Sequence, residues 1–127
     1  MVRSTKLYNS FNLDVKHKGS IILIGNFDGL HLGHQKLFKL AKKYKKKYSM
    51  KIGVLTFEPM PKMYFKKDIK NFRISSREQK ISLLNNFNVD FVILKKFNKK
   101  FSKIKSIDFI KKILKEKLNA KFIFVSN

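Results

Sequence analysis

"SIILIGNFDGLHLGHQKLF", Ser20 to Phe38, changes its periodicity halfway along. The first six residues form a short, apolar, β-branched run, the pattern of a buried strand. From Leu32 onward the apolar residues fall at helical spacing instead. Gly25 to His31 must then be a turn at a strand's C-terminal end, leading into a helix. The stretch also concentrates Gly25, Gly29, Gly33, His31 and His34 in a chain with only five glycines and three histidines.

Outward from this unit, three more apolar runs repeat the strand pattern: "KIGVLTF" (51–57), "DFVILK" (90–95) and "KFIFV" (121–125). Helix-period segments lie between them. The first runs from about Leu32 to Tyr48, with Leu37, Ala41, Tyr44 and Tyr48 as its apolar stripe. The second opens on Ser75-Ser76-Arg77-Glu78, where Ser75 and Glu78 form a capping-box pattern, and continues through Ile81, Leu83 and Leu84 to about Phe87. The third begins after Ser106 and carries Ile107, Ile110, Ile113, Leu114 and Leu118. Before it, "KKFNKKFSKIK" (95–105) reads as a polar, basic connection. The order β-α-β-loop-α-β-loop-α-β predicts an α/β fold, a parallel sheet with flanking helices and right-handed crossovers. No repeat or Gly/Ser linker marks a second domain.

Composition narrows the function classes. At 127 residues the chain is one domain's worth, long enough to bury a substantial core. Thirty Lys and Arg against eight Asp and Glu give a net charge of +22, which would ordinarily suggest a polyanion partner. Only Arg3, Arg73 and Arg77 are arginine, however, the residue that clamps phosphates in a fork. The lysine excess therefore reads as compositional drift plus solubility rather than a nucleic-acid site. In "AKKYKKKY" (41–48) the tyrosines fall on the apolar stripe and the lysines on a solvated face. Without cysteine there are no disulfides or thiolate metal sites. No run approaches the ~18 apolar residues of a membrane span, and the N-terminus lacks a signal-peptide pattern. The expectation is a soluble cytoplasmic protein.

The turn itself suits an anion. Ligands of open α/β sheets bind at strand C-termini, and the following helix start offers unpaired N–H groups with a partial positive charge. Glycines there let backbone approach a ligand closely. His31 and His34, three apart, are neighbours on the helix's first turn, where two imidazoles beside free N–H groups suit a triphosphate. A bare glycine-rich turn with exposed histidines, or a metal site, would share these features. For a metal no third ligand has convincing spacing, so none is assigned from the protein; Asp28 better fits orienting the loop or capping the helix.

"GNFDGLHLGH" (25–34) resembles the G-x-F-D-G-x-H-x-G-H signature of the bacterial FAD synthetases, the adenylyltransferase half of bifunctional riboflavin kinase/FAD synthetases. "LTFEPMP" (55–61) is similar to the family's T-F-x-P-H-P segment, and "FRISSREQKISLLNNFNVDFVI" and "FSKIKSIDFIKKIL" follow in the family's order. The resemblance implies a Rossmann-like nucleotidylyltransferase fold and transfer of AMP from ATP to FMN, giving FAD and pyrophosphate, with Mg²⁺ as counter-charge. It implies that His31 and His34 hold the ATP phosphates and the charge developing at the α-phosphorus. Gly25, Asn26, Phe27, Asp28, Gly29 and Gly33 would shape the ATP loop; Thr56, Phe57, Pro59 and Pro61 would belong to the FMN side.

The chain departs from the family pattern at Met60, where histidine is usual; a thioether cannot donate a hydrogen bond to phosphate. Val125-Ser126 replaces the usual Val-Gly. The family's later phenylalanine-glycine loop and Ser-Ser/Thr-x-x-Arg segment have no counterpart, nor has the riboflavin kinase domain. Residues 1–127 thus read as an incomplete FAD synthetase domain, an N-terminal fragment truncated at its C-terminus. Activity alone is less expected than activity beside a separate chain carrying the missing part. The rival readings are another HxGH nucleotidylyltransferase, a non-catalytic basic nucleic-acid-binding remnant of the same fold, and a relic without a stable fold.

Overall fold

The apolar runs do form strands, and all of them share one sheet. The computed structural model describes residues 5–25, 27, 32–58 and 77–126. A short strand that the sequence reading omits comes first, β1 (Lys6–Tyr8), followed by β2 (Ile21–Ile24), β3 (Ile52–Glu58), β4 (Phe91–Lys96) and β5 (Phe122–Val125). The order across the sheet is β1-β4-β3-β2-β5, and every pairing is parallel. Ile21 lies opposite Ile52 on one side and Phe122 on the other, which sets the register of β2 between β3 and β5. β1 escapes sequence reading because only Tyr8 of its three residues is buried. Its strand character comes from the edge of β4, not from its own pattern.

Both faces of the sheet are covered, which is why the strands read as continuous apolar runs. One face sends Ile21, Leu23, Ile52, Val54 and Val92 against Phe38 and Ala41 of α1 (Leu32–Tyr48) and Leu84 of α2 (Arg77–Asn86). The other sends Ile22, Leu55, Phe91 and Ile93 against Ile113, Leu114 and Leu118, with Tyr8, Phe11 and Leu13 closing the flank.

α1 has the expected extent, but its inward stripe differs from the expected one. Phe38, absent from the predicted set, is fully buried, whereas Tyr48 is 44% exposed. Tyr44 and Tyr48 turn their rings toward Phe122 of the edge strand β5, at 4.9 and 5.0 Å between centroids. The helix ends at Ser49, which takes a left-handed φ of 53°. The Ser75–Ser76 half of the predicted capping box lies outside the described residues.

The third helical segment departs further. A short α3 (Lys99–Ser102), capped by the Asn98 side chain accepting the Phe101 N–H at 2.8 Å, interrupts what reads as a connection. α4 (Ser106–Asp108) then passes directly into a π-helix, Phe109–Lys117. The Leu118 N–H donates to the Ile113 carbonyl at 2.9 Å, the wider i→i+5 winding. Ile113, Leu114 and Leu118 therefore face the core, while Ile107 and Ile110 are 53% and 51% exposed. A stripe counted at α-helical spacing puts those two inside; in the structure both are half exposed.

Two buried polar groups tie the layers at the opposite, N-terminal end of the strands. Asp90 accepts the Ile52 N–H at 2.8 Å and the Lys45 ammonium at 3.0 Å, linking α1 to β3 and β4. His17 stacks on Phe91 at 4.6 Å and its Nδ1 is hydrogen-bonded to the Tyr8 hydroxyl. Burial, with Lys51 and Lys16 nearby, holds the His17 imidazole below its ordinary value of 6.5, Asp14 opposing; burial likewise pushes the Tyr8 phenol up. The unfolded chain thus binds a proton at His17 more readily than the folded one, so stability is full above the unfolded value and falls as pH drops below it. The urea midpoint is expected to fall between about pH 7.5 and about pH 5.5. His17→Gln should flatten most of that slope, and an unchanged slope in the variant would assign it elsewhere.

Candidate functional site

β3 and β4 lie on one side of β2, but the chain after β4 crosses to the other side to add β5. The gap between β2 and β5 is therefore a topological switch point, where connections diverge and a crevice opens at the carboxyl ends of the strands. The glycine- and histidine-bearing stretch begins there. The Gly25 N–H donates to the Leu55 carbonyl at 3.2 Å and the Ser126 N–H to the Ile24 carbonyl at 2.8 Å, pinning the ends of three strands together. A Cβ on Gly25 would lie 2.9 Å from the Ser126 Cβ and 3.0 Å from the Phe27 ring, closer than real Cβ atoms pack. Only glycine fits.

Phe27 has φ 54°. For a bulky side chain this left-handed conformation costs roughly 1–2 kcal/mol. The offset is burial: its ring is fully inside, 5.5 Å from Phe38 and 5.0 Å from the His34 ring. Its side chain is thus part of the core, and only its backbone can face a nucleotide. His34, in the first turn of α1, is itself 4% exposed. Gly33 lies one residue before it in the same turn, where unpaired helix N–H groups gather. Asn26, Asp28, Gly29 and His31 fall outside the described residues.

The expected flavin side divides in the same way. Thr56 is buried within β3, opposite Leu94 of β4. Pro59, Met60 and Pro61 lie outside the described residues. Phe57, half-buried, lines a cavity of about 530 Å³ together with Ile24, Phe101, Phe109, Ile110 and Val125. Ile24 and Val125 are the last residues of β2 and β5, so the cavity sits at the same strand ends as the loop. It lies on the π-helix side of the sheet, and Phe27 and His34 lie on the α1 side. The end of β2 separates the two halves.

Sequence reading missed most of this wall. "KKFNKKFSKIK" was expected as a polar link, yet Phe57 meets Phe97 at 5.7 Å and Phe101 at 5.2 Å, and Phe101 meets Phe109 at 5.9 Å. The available signal was two phenylalanines four apart inside a lysine run. Among the described residues no three His, Asp or Glu side chains converge as a metal site, and no helix is long and apolar enough to cross a membrane.

Comparison with known proteins agrees with this geometry. The family model described as FAD synthetase matches residues 13–127. A bifunctional riboflavin kinase/FMN adenylyltransferase of Buchnera aphidicola from Acyrthosiphon pisum is 40% identical over 116 residues, covering 91% of this chain and 37% of its own. A protein of the same name from Escherichia coli is 31% identical over 110 residues, covering 87% and 35%. Among solved structures, one titled a macrolide-efflux protein from Streptococcus pneumoniae superposes with a TM-score of 0.76 at 25% identity, over 95% of this chain and 40% of that one. The chain spans somewhat over a third of the length of the curated relatives it matches. The family match begins at Leu13, before β2, and runs through β5, taking in both halves of the crevice; the chain belongs to the FAD synthetase family.

Proposed function

We propose that the chain transfers AMP from ATP to the phosphate of FMN, releasing pyrophosphate and FAD. The observation that carries this reading is the pairing, across the end of β2, of an anion-suited helix start bearing His34 with an apolar, aromatic cavity of about 530 Å³. A dinucleotide-forming reaction between a triphosphate and a flat tricyclic ring system needs both. Pockets of this size and lining suit small planar ligands.

An FMN phosphate oxygen attacks the α-phosphorus of ATP in line. The new P–O bond forms as the bond to the β-phosphate bridging oxygen breaks, and the electron pair leaves on pyrophosphate. No covalent enzyme intermediate is needed, so the protein's part is positioning and charge stabilisation. His31 and His34 donate to the phosphates. Gly25, Asn26, Asp28 and Gly29 carry the loop over them, and Gly33 lets the helix start come close. Phe57, Pro59 and Pro61 frame the flavin side, with Phe101, Phe109 and Ile110 added by the cavity; Thr56, wholly buried in β3, is not part of that wall. Mg²⁺, when bound, would neutralise phosphate charge.

The test incubates the chain with FMN, ATP and Mg²⁺ and separates the products chromatographically. Equal amounts of FAD and pyrophosphate are expected, neither forming without FMN. Pyrophosphate release that does not depend on FMN would point instead to another HxGH nucleotidylyltransferase. Ile110→Asp places a carboxylate on the cavity rim at a position exposed enough to tolerate it. It should weaken FMN binding about tenfold, roughly 1.4 kcal/mol, and leave ATP binding unchanged. Equilibrium dialysis reads this without turnover, and equal FMN binding by both proteins would remove the cavity from the flavin site.

A further inference from the structure

We propose that Phe27 is a positioning residue for His34, its ring serving as the rigid stop that sets where the imidazole points. The inference rests on the role given to His34 above and goes beyond it by naming what holds that side chain. Phe27 is fully buried, holds a left-handed φ of 54° and lies 5.0 Å from the His34 ring at an interplanar angle of 60°. On its other sides the ring abuts Phe38 at 5.5 Å and the space above Gly25, where an added Cβ would come within 3.0 Å of it. The left-handed backbone at Phe27 and the close approach of its ring over Gly25 fix where the ring stands, and with it the wall it presents to His34.

The strained backbone gives the arrangement its purpose. A residue in this conformation persists only where its surroundings over-determine it, and such residues gather at sites that need preorganisation. Here the strain lets one residue do two things. Its backbone leads the chain away from β2 toward α1, while its side chain returns into the core beneath the first turn of that helix. The backbone at Phe27 and the orientation of His34 are thereby coupled through one ring. A smaller apolar side chain would still fill much of the space but would let the imidazole turn. Misplacing a reacting group by about 1 Å can cost on the order of 100-fold in rate.

The experiment compares the wild-type chain with Phe27→Leu, Phe27→Met and Phe38→Leu. Phe38 is equally buried and touches Phe27, so its variant matches the loss of packing without removing the stop itself. In the wild type, the His34 ring protons are expected to show nuclear Overhauser contacts to the Phe27 ring and a ring-current shift. In Phe27→Leu and Phe27→Met that shift should collapse, and kcat for FAD formation should fall roughly 10- to 100-fold with the KM for ATP moving much less. Phe38→Leu should lower the unfolding midpoint comparably and keep kcat within about threefold of wild type.

A loss of kcat in Phe38→Leu equal to that in the Phe27 variants would make Phe27 a packing residue only and overturn the proposal. So would a folded Phe27 variant with wild-type kcat. If the Phe27 variants do not fold, absence of the wild-type Phe27–His34 contacts still overturns it, and their presence supports it. A wild-type chain that forms no FAD, either alone or beside a chain carrying the family's later segments, would instead sink the adenylyltransferase reading, while the resonance measurements judge the positioning independently.

Discussion

Replacing His34 by alanine is expected to slow FAD formation by about 10²–10³-fold, the usual cost of deleting one preorganised donor from a site that stabilises developing charge. His34 stands in the first turn of a 17-residue helix, α1, the element that follows β2 in the chain. In the proposed reaction charge moves onto a leaving pyrophosphate, and an imidazole N–H placed there would stabilise the transition state more than the ground state. His34→Ala should therefore act mainly on kcat. Because the imidazole is buried, its removal also costs some packing, so the unfolding midpoint must be measured beside the rate. His34→Asn, which keeps a side-chain N–H donor, should recover part of the loss. FAD formation in His34→Ala within about threefold of wild type, under saturating ATP and FMN, would remove His34 from the reaction.

The largest expected effect on stability comes from the smallest substitution. Gly53 lies in β3 between Ile22 of β2 and Phe91 of β4, and a Cβ there would sit 2.1 Å from the Phe91 ring. That ring cannot step aside: it stacks on His17 at 4.6 Å and takes the edge of Tyr8 at 5.8 Å. Gly53→Ala should destabilise the fold by about 3 kcal/mol or more, the upper range for overpacking a core that cannot relax. Urea unfolding reads this directly. Phe91→Leu made in the same chain should restore part of the loss, because it vacates the space the new methyl needs. The double variant then yields a coupling energy of opposite sign to the single losses. A Gly53→Ala chain as stable as wild type would mean that the ring does not cover that glycine.

Neither effect follows from sequence pattern in the same degree. The loop of residues 25–34 announces its chemistry locally: a strand run stops, glycines gather, two histidines fall three apart, and a helix period begins. All of these are short-range properties of the chain. Gly53 announces nothing. In "KIGVLTF" it is one glycine within a strand run, and its necessity comes from Phe91, 38 positions later in the chain. The phenylalanines at 97 and 101 are a similar case. Surrounded by lysines, they read as a basic link, and only the closure of α3 and the π-helix over the ends of β2, β3 and β5 makes them one wall.

What the sequence by itself determined was the alternation of strands and helices, the parallel class of the sheet, and the placing of a glycine- and histidine-bearing stretch between a strand and a helix. Hydrophobic periodicity and turn chemistry are local, and each is written within a dozen residues. Tertiary structure alone decided the strand order, the pairing of β1 with β4, the π winding of residues 109–117, the exposure of Ile107 and Ile110, and the burial of Phe27 against His34. Those outcomes depend on which surfaces meet across long stretches of chain. A side chain's environment there is supplied by partners that its own neighbours in sequence do not specify.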